Sequence, residues 1–372
     1  MLAVMAVTAL APALGRIQNS FPDATNLQLQ MLLNFPALFI IPFSLLSGQL
    51  TLRFKKRHIL FVGLIIFSIS GVASAFVNSF SMFLVLRAFL GLGLGLVTPL
   101  SFSLIADLFT GEKRARLMGF SSAVATLSAI SMSLLSGWLA VYNWRYALGA
   151  YGIGIFVILM VYFYLPEPES AFDEPIKQAK LPMLVYAVVL FTLFSIVIFN
   201  LISNQMAFFL KSTNLGDSAE SGIALASYQG AQFFVALFFD KIYRLFKNNT
   251  AIFGLGISVV GFMFLFSANS LWMIVFAVFI TGLGIGTLVP YNALTISNQV
   301  SSDLSGWALS LNTSALFAGQ FISPFLFSLI SSIFDFSSIR FYFLSAAVMC
   351  AGVAIIMVLV KIARRKRMSN RT

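Results

Sequence analysis

A succession of long apolar segments is the feature of this sequence that most restricts its fold. A helix that crosses a bilayer needs roughly 20 mostly apolar residues. Twelve segments near that length lie at residues 1–15, 27–51, 58–78, 80–109, 116–141, 144–165, 182–210, 219–245, 250–268, 270–299, 303–334 and 338–361. They are long and do not alternate polar with apolar residues, which excludes transmembrane β-strands. The sequence therefore predicts an all-α integral membrane protein with twelve transmembrane helices.

The composition agrees with lipid as the surrounding solvent. Hydrophobic residues make up 59% of the 372 residues and charged residues only 9%, whereas about a quarter of a soluble domain is charged. The net charge of +11 comes from short basic stretches between the apolar segments, such as residues 53–57. Stretches of this kind are typical of loops that face an anionic membrane surface. We therefore expect the lipid bilayer as a partner and no nucleic acid.

The basic loops also predict an orientation. Of the 23 Lys and Arg residues, 18 fall on one side of the predicted membrane, in alternate loops and in the tail after residue 360. The opposite side has only Arg16, Arg145, Lys211 and Arg340, and Arg87 lies inside the fourth segment. Because cytoplasmic loops carry the excess of cations, we expect both termini in the cytoplasm of a multi-pass protein of the cell membrane.

The chain divides into two related halves. A polar, proline-containing linker at residues 166–181 separates six segments in residues 1–165 from six in residues 182–372. The pattern Gly91, Gly93, Gly95 and Pro99 recurs 191 residues later as Gly282, Gly284, Gly286 and Pro290, and Asn78-Ser79 recurs as Asn269-Ser270 at the same offset. We assign the glycines and prolines to helix packing and interpret the repeat as a duplication. The alternative is that glycine-rich membrane helices look alike through shared packing needs.

Several local motifs resemble those of the major facilitator superfamily. Residues 48–57 match the glycine, leucine and cations of its loop G-x-L-x-D-R-x-G-R-R/K, but Leu52 replaces the acid and Lys55 the second glycine. The stretch from Arg87 to Gly93 is similar to the helix-4 motif R-x-x-x-G-x-G, and Trp144-Arg145 and residues 319–324 resemble further family features. The chain looks closest to bacterial drug-efflux-like members.

The resemblance implies two pseudo-symmetric six-helix bundles around a central cavity and a small-molecule substrate. It also implies alternating access, in which two repeated units rock about a midplane site. One motif of the drug/proton antiporters is missing, because residues 132–137 hold one glycine and no proline where G-P-x-x-G-G is usual. Drug/proton exchange is less well supported for that reason than transport itself.

Charged residues near the helices are candidates for gating or coupling. An unpaired charge as deep as Arg87 costs about 2.5–3.5 kcal/mol, so we expect a cavity, a carbonyl or an acid beside it. The alternative is an arginine that extends to the outer interface. We predict a cytoplasmic latch between Asp107 and the basic loop, and a corresponding one in the second half; ordinary solvation of loop charges is the alternative. The residues assigned here are Arg87, Asp107, Gly48, Arg53, Arg57, Asp240 and Lys241.

The polar groups predicted inside the membrane are amides. None of the twelve segments has Asp or Glu near its middle, and the only histidine, His58, lies in a loop. A proton-coupling site is therefore not visible; coupling to protons stays open, with Asp107 as the best available group. We assign Asn200, Asn204, Asn292 and Gln229 to the substrate cavity, with hydrogen bonding between helices as the alternative. Amides together with 41 phenylalanines suit neutral or weakly cationic lipophilic compounds.

These observations predict a monomeric secondary transporter that moves a small lipophilic solute across the cell membrane, in the export direction. We expect no metal and no cofactor. The sequence contains no nucleophile triad, no zinc-protease motif and no phosphate-binding loop, so neither an enzyme nor an ATP-driven pump is expected. Two alternatives remain open, a non-transporting membrane sensor or scaffold that keeps the fold and a carrier for a polar metabolite such as a sugar.

Overall fold

The chain folds into a bundle of long helices. The computed structural model describes residues 2–51, 53–109, 111–165, 181–300, 302–335 and 338–369, and contains no strand in these ranges. The helices are α1 (Leu2–Thr8), α2 (Leu14–Ser20), α3 (Asn26–Leu50), α4 (Lys56–Ala73), α5 (Phe80–Leu108), α6 (Gly111–Tyr142), α7 (Trp144–Leu148), α8 (Ile153–Tyr164), α9 (Met183–Ser212), α10 (Ser218–Phe246), α11 (Thr250–Ser267), α12 (Leu271–Ser297), α13 (Ser302–Phe334) and α14 (Arg340–Ser369). Short 3₁₀ turns lie at Ala11–Ala13, Ser74–Phe76, Gly149–Gly152 and Lys247–Asn249.

Twelve membrane segments result from these helices. Within the described ranges, eleven helical stretches are long and apolar enough to cross a membrane, one of them built from α7, α8 and the turn between them. The twelfth segment consists of α1, the turn at Ala11–Ala13 and α2. The predicted all-α fold with twelve membrane segments is confirmed. The predicted linker at residues 166–181 lies outside the described residues apart from Leu181.

The first segment is longer than the sequence predicted, because it ends at Ser20 and not near residue 15. It is broken at Pro12, where the missing backbone N–H interrupts the helical hydrogen bonds and a 3₁₀ turn replaces the α-helix. The apolar run in the sequence stops before polar residues such as Arg16 and Gln18, so the predicted segment was too short. In the fold, both side chains contact the second half of the chain.

In the first half, the repeated glycines let α5 approach two neighbours at backbone distance. A Cβ added at Gly91 would lie 2.7 Å from Cα of Pro36 in α3, and one at Gly93 would lie 2.6 Å from the carbonyl oxygen of Gly63 in α4. Real Cβ atoms do not come this close, so a larger residue would push the helices apart. Gly95 also faces α3, and Pro99 lies inside α5.

The second half repeats this packing with the equivalent helices. A Cβ at Gly282 of α12 would lie 2.5 Å from the carbonyl oxygen of Tyr228 in α10, and one at Gly284 would lie 2.8 Å from that of Gly254 in α11. Gly254 itself follows Gly63 by 191 residues. Gly286 also faces α10, and Pro290 lies inside α12. The repeated sequence positions therefore make repeated contacts, which supports duplication over chance similarity.

The repeated asparagines have matching roles as well. Nη2 of Arg145, at the start of α7, donates to Oδ1 of Asn78 (2.7 Å) in the loop before α5. Nη2 of Arg340, at the start of α14, donates to Oδ1 of Asn269 (3.1 Å) in the loop before α12. Nη1 of Arg145 also donates to the carbonyl oxygens of Ala75 and Val77 before α5, and Nη1 of Arg340 donates to that of Phe266 in the last turn of α11. Each half thus uses one arginine to fix the loop that precedes its glycine-rich helix.

Candidate substrate site and gate between the two halves

The two halves meet most closely where α6 and α10 cross. A Cβ at Gly137 of α6 would lie 2.6 Å from the carbonyl oxygen of Ser218, and one at Gly222 of α10 would lie 2.5 Å from that of Ser133. Small residues allow this approach of two backbones. The crossing involves the last part of α6 and the first part of α10. We call this end of the molecule, where α2, α6 and α9 end and α10 begins, the sealed end.

An ion pair joins the halves at the sealed end. Nη2 of Arg16, in α2, contacts Oδ2 of Asp217 at the start of α10. The backbone N–H of Asp217 donates to Oε2 of Glu220 (2.8 Å) in a capping box, which fixes Asp217 at the helix terminus. The two paired side chains are 38% and 42% exposed, and pairs this exposed contribute about 0–1 kcal/mol. The pair alone is therefore easily opened.

Lys211, at the end of α9, adds hydrogen bonds across the same junction. Its Nζ donates to the carbonyl oxygen of Gly15 (3.0 Å), to Oε1 of Gln18 (3.1 Å) and to Oδ1 of Asn19 (2.6 Å). We call Arg16, Lys211 and Asp217 the outer latch, a name that follows the orientation predicted from the basic loops. A polar cavity of about 550 Å³ lies beside it, so water can reach these groups. The latch therefore closes the junction with contacts that can be exchanged for water.

A buried cluster of amides joins the halves deeper in the molecule. Nδ2 of Asn34, in α3, donates to Oδ1 of Asn204 (2.8 Å), and Nδ2 of Asn200 donates to Oδ1 of Asn34 (2.7 Å). Asn200 also reaches the carbonyl oxygen of Gln320 (3.2 Å) in α13. Asn34 and Asn204 are fully buried, and Nδ2 of Asn204 has no acceptor among the described residues. We call Asn34, Asn200 and Asn204 the amide cluster.

The other two predicted cavity residues lie elsewhere. Nδ2 of Asn292 donates to Oγ1 of Thr192 (3.0 Å), which donates to Oδ1 of Asn312 (2.7 Å), so this group joins α12, α9 and α13 within the second half. Oε1 of Gln229 accepts from Gln232 in the same helix (3.2 Å). The structure thus brings Asn200 and Asn204 together and keeps Asn292 and Gln229 apart from them. Their contact with a substrate stays a prediction.

Arg87 is fully buried inside the first half. Its Nη1 donates to the hydroxyl of Tyr151 (2.9 Å), which in turn donates to the carbonyl oxygen of Ala6 (2.9 Å). Its guanidinium lies 5.2 Å from the ring centre of Phe83 and 5.1 Å from that of Tyr151. The alternative of an arginine extending to the interface is wrong. In place of the cavity, carbonyl or acid that we expected, the described partners are a hydroxyl and two aromatic faces, and the gating role stays a prediction.

The basic loop makes its described contacts within the first half. Nη2 of Arg57 donates to the carbonyl oxygen of Tyr162 (2.6 Å), and Gly48 and Arg53 are exposed. Asp107 lies in α5, but its side chain is outside the described residues. The predicted cytoplasmic latch at Asp107 therefore stays a prediction.

The residues predicted to form the corresponding latch in the second half contact neighbours in their own helix, and that latch stays a prediction. Asp240 pairs with Arg244 one turn along the same helix, and the two side chains are 72% and 73% exposed. Lys241 lies over the ring of Phe238, also in α10, with 5.4 Å between its Nζ and the ring centre. These contacts stay within one helix, and an exposed pair at this spacing contributes only a few tenths of a kcal/mol.

Sequence reasoning missed the outer latch. It placed Arg16 and Lys211 only among the few cations of the less basic side, and it gave Asp217 no role. A usable signal was present, because each of these charges lies near the end or at the start of a membrane segment. What the sequence lacked was the distance between positions about 200 residues apart.

Two six-helix units that meet at a sealed end and share a buried amide cluster define a membrane carrier. The family model described as Major Facilitator Superfamily matches residues 1–242 and 188–372, which together span the whole chain. The protein belongs to this superfamily, whose members are transporters and not enzymes.

Curated relatives carry names that concern drugs. The chain is 28% identical over 333 residues to the quinolone resistance protein NorA of Staphylococcus aureus, an alignment that covers 86% of this chain and 84% of the relative. It is also 28% identical to the multidrug transporter protein MdtP of Bacillus subtilis, but over 102 residues, which cover 27% of this chain and 19% of the relative. The resemblance to drug-efflux members is confirmed.

Solved structures share the fold. A bacterial homologue of the human lysosomal transporter Spinster, in an inward-facing and occupied conformation, has a TM-score of 0.79 with 17% identity, covering 97% of this chain and 94% of the other. The inward-open xylose transporter XylE of E. coli has a TM-score of 0.72 with 17% identity, covering 96% and 92%. At this identity the likeness concerns the fold and not the substrate.

Proposed function

We propose that this protein exports a small lipophilic solute across the cell membrane by alternating access of its two halves. A single chain supplies both halves of the passage, so a monomer suffices. The solute meets the amide cluster midway, and the outer latch opens to release it. Arg87 and the cations of the basic loop are proposed to steady the first half during this movement.

The observation that carries the proposal is the uneven closure of the junction between the halves. The outer latch and the Gly137–Gly222 crossing close the sealed end. The backbone contacts of α6 with α10 at Gly137 and Gly222 lie at this end, whereas a cavity of about 520 Å³ lies beside Lys113, Leu117 and Phe120 toward the other end of α6. A carrier that works by alternating access has this form in each of its end states, with one end closed and the other accessible.

Two arguments support export as the direction of transport. The positive-inside rule assigns the sealed end to the outside, because the basic loops lie at the other end of the helices. A solute would therefore enter this conformation from the cytoplasm. The quinolone resistance protein and the multidrug transporter among the relatives favour export as well, because resistance requires a lower concentration of the drug inside the cell.

A reversible lock on the sealed end tests the proposal. In a chain whose single cysteine is removed by Cys350→Ala, we replace Arg16 and Asp217 by cysteine and join them with a reducible bifunctional thiol reagent. Purified protein is reconstituted in liposomes loaded with a fluorescent lipophilic dye, and dye flux is recorded with and without a pH gradient. We expect flux in the unlinked protein, loss of flux after cross-linking, and recovery after reduction.

The matched controls are the two single-cysteine variants treated with the same reagent, which should keep their flux. The proposal is wrong if a broad set of lipophilic dyes shows no protein-dependent flux. It is also wrong if flux continues through a quantitatively cross-linked protein, because the sealed end then does not open during transport.

A further inference from the structure

We infer that the solute is electrically neutral where it binds, and that the amide cluster holds it through hydrogen bonds that replace those between the halves. This inference rests on the proposed transport function and names the chemical class of the substrate. The expected compound is an aromatic or aliphatic amphiphile with a carbonyl, amide or hydroxyl group. A cation, which the abundance of phenylalanine alone would also allow, is disfavoured because no acidic residue lies on the two helices that carry the cluster.

The first step concerns carboxylates. The twelve acidic residues are Asp23, Asp107, Glu112, Glu167, Glu169, Asp173, Glu174, Asp217, Glu220, Asp240, Asp303 and Asp335. The eight of them that are described lie in loops or within about two turns of a helix end, and by sequence none of the twelve is on α3 or α9, which carry the amide cluster. An ammonium group brought to the cluster would lose its hydration without gaining an anion. That loss is costly in a medium of low dielectric constant.

The second step concerns cations. Among the described residues the interior cation is Arg87, whose Nη1 donates to Tyr151 and whose Nε and Nη2 donate to no described acceptor, and it lies within the first half against Tyr151 and Phe83. The three residues of the amide cluster make their described hydrogen bonds to one another and to backbone carbonyl groups. An anionic solute would therefore find only amide donors there. The cluster therefore suits a solute that carries neither a net positive nor a net negative charge.

The third step concerns an unmet hydrogen-bonding group. Nδ2 of Asn204 is buried and donates to no described acceptor. A buried donor without an acceptor costs about 1–3 kcal/mol. A carbonyl or hydroxyl oxygen of a solute would supply the acceptor. Because an asparagine side chain both donates and accepts hydrogen bonds, the cluster can bind a neutral group through either a donor or an acceptor of that group.

The fourth step links binding to movement. Asn34 lies in the first half, and Asn200 and Asn204 lie in the second, so their two hydrogen bonds must break when the halves separate at this level. A neutral polar group of the solute can take over the freed donors and acceptors. The solute then lowers the free energy of the separated state relative to the joined state, as differential binding requires.

A pair of probes with the same skeleton tests the inference. Naphthalene carboxamide and naphthylmethylammonium differ in the neutral or charged group that they present. Binding to the purified full-length protein in detergent is followed by thermal unfolding and by competition with a fluorescent dye. We expect the carboxamide to bind and to raise the melting temperature, and the ammonium compound to bind at least about tenfold more weakly, a difference of about 1.4 kcal/mol.

The variant Asn204→Asp should reverse this preference, because it places a carboxylate in the cluster. The matched control is Asn143→Asp, at the exposed start of α7, which adds the same charge away from the cluster and should leave the preference unchanged. If Asn204→Asp does not fold, Asn200→Asp, whose side chain is only partly buried, makes the same change.

Three results would overturn the inference. They are equal or tighter binding of the ammonium probe to the unmodified protein, no change of preference in both cluster variants, and no binding of either probe while dye flux persists. Binding is measured without a membrane, so it can fail or succeed independently of flux. Binding of the carboxamide with the predicted reversal, but without flux for any compound, would support the neutral site and contradict the transport proposal.

Discussion

At the scale of single residues, the structure explains how a charge is kept inside the first half. The guanidinium of Arg87 is fully buried without a described acid beside it. The hydroxyl of Tyr151 accepts one of its hydrogen bonds, and two aromatic rings face its charge. Cation–π contacts are strengthened by loss of water, which suits this location. Tyr151 therefore links Arg87 to the backbone at Ala6.

We therefore expect Tyr151→Phe to lower the stability of the folded protein by about 1–3 kcal/mol, because it leaves a buried donor of Arg87 without its acceptor. The measurement is thermal unfolding of the purified protein in detergent. The matched control is Tyr146→Phe, which removes the hydroxyl of a tyrosine that is 60% exposed and should leave the unfolding temperature unchanged. Equal unfolding temperatures for the two variants would contradict the proposed role of the hydroxyl.

At the scale of helices, backbone contact through glycine sets the arrangement within each half. Gly91 and Gly93 bring α5 against α3 and α4, and Gly282 and Gly284 bring α12 against α10 and α11. In a bilayer, helices associate through close packing and hydrogen bonds, because lipid tails are as apolar as the side chains. A methyl group at such a position therefore removes contacts along the whole helix pair.

Substitution of Gly91 by alanine should sharply reduce the yield of folded protein, since the new Cβ would overlap the backbone of Pro36. The matched control is Gly230→Ala in α10, where no atom lies within 4 Å of the added Cβ. That change should keep or raise the yield, because alanine favours a helix over glycine by about 1 kcal/mol. Both are measured by size-exclusion chromatography of a fluorescent fusion. Similar yields would show that α5 can shift at little cost.

At the scale of the whole molecule, the orientation in the membrane decides what the sealed end means. The sealed end is the release side of an exporter if it faces outward, and the release side of an importer if it faces the cytoplasm. The distribution of cations, 18 against 4, predicts an outward sealed end. The amide cluster and the outer latch are the same in either case.

Cysteine labelling of cells determines the orientation. In the Cys350→Ala chain, Ser212→Cys lies at the sealed end and Phe54→Cys in the basic loop, and both positions are exposed. A membrane-impermeant maleimide should label the first in intact cells and the second only after permeabilisation. The reverse result would place the sealed end in the cytoplasm and would contradict export from the conformation described.

The sequence by itself determined the twelve segments, their order and the repeat at 191 residues. These properties are local, since the length and polarity of a segment decide whether it can cross a bilayer. Only the tertiary structure decided which polar residues meet. Asn34 and Asn204 are 170 residues apart, and their amides could equally have bonded neighbouring helices of their own halves. The outer latch was hidden for the same reason, because charges at helix ends are ordinarily solvated. Folding of the two halves against each other brings these groups within bonding distance and turns isolated polar positions into the proposed site and gate.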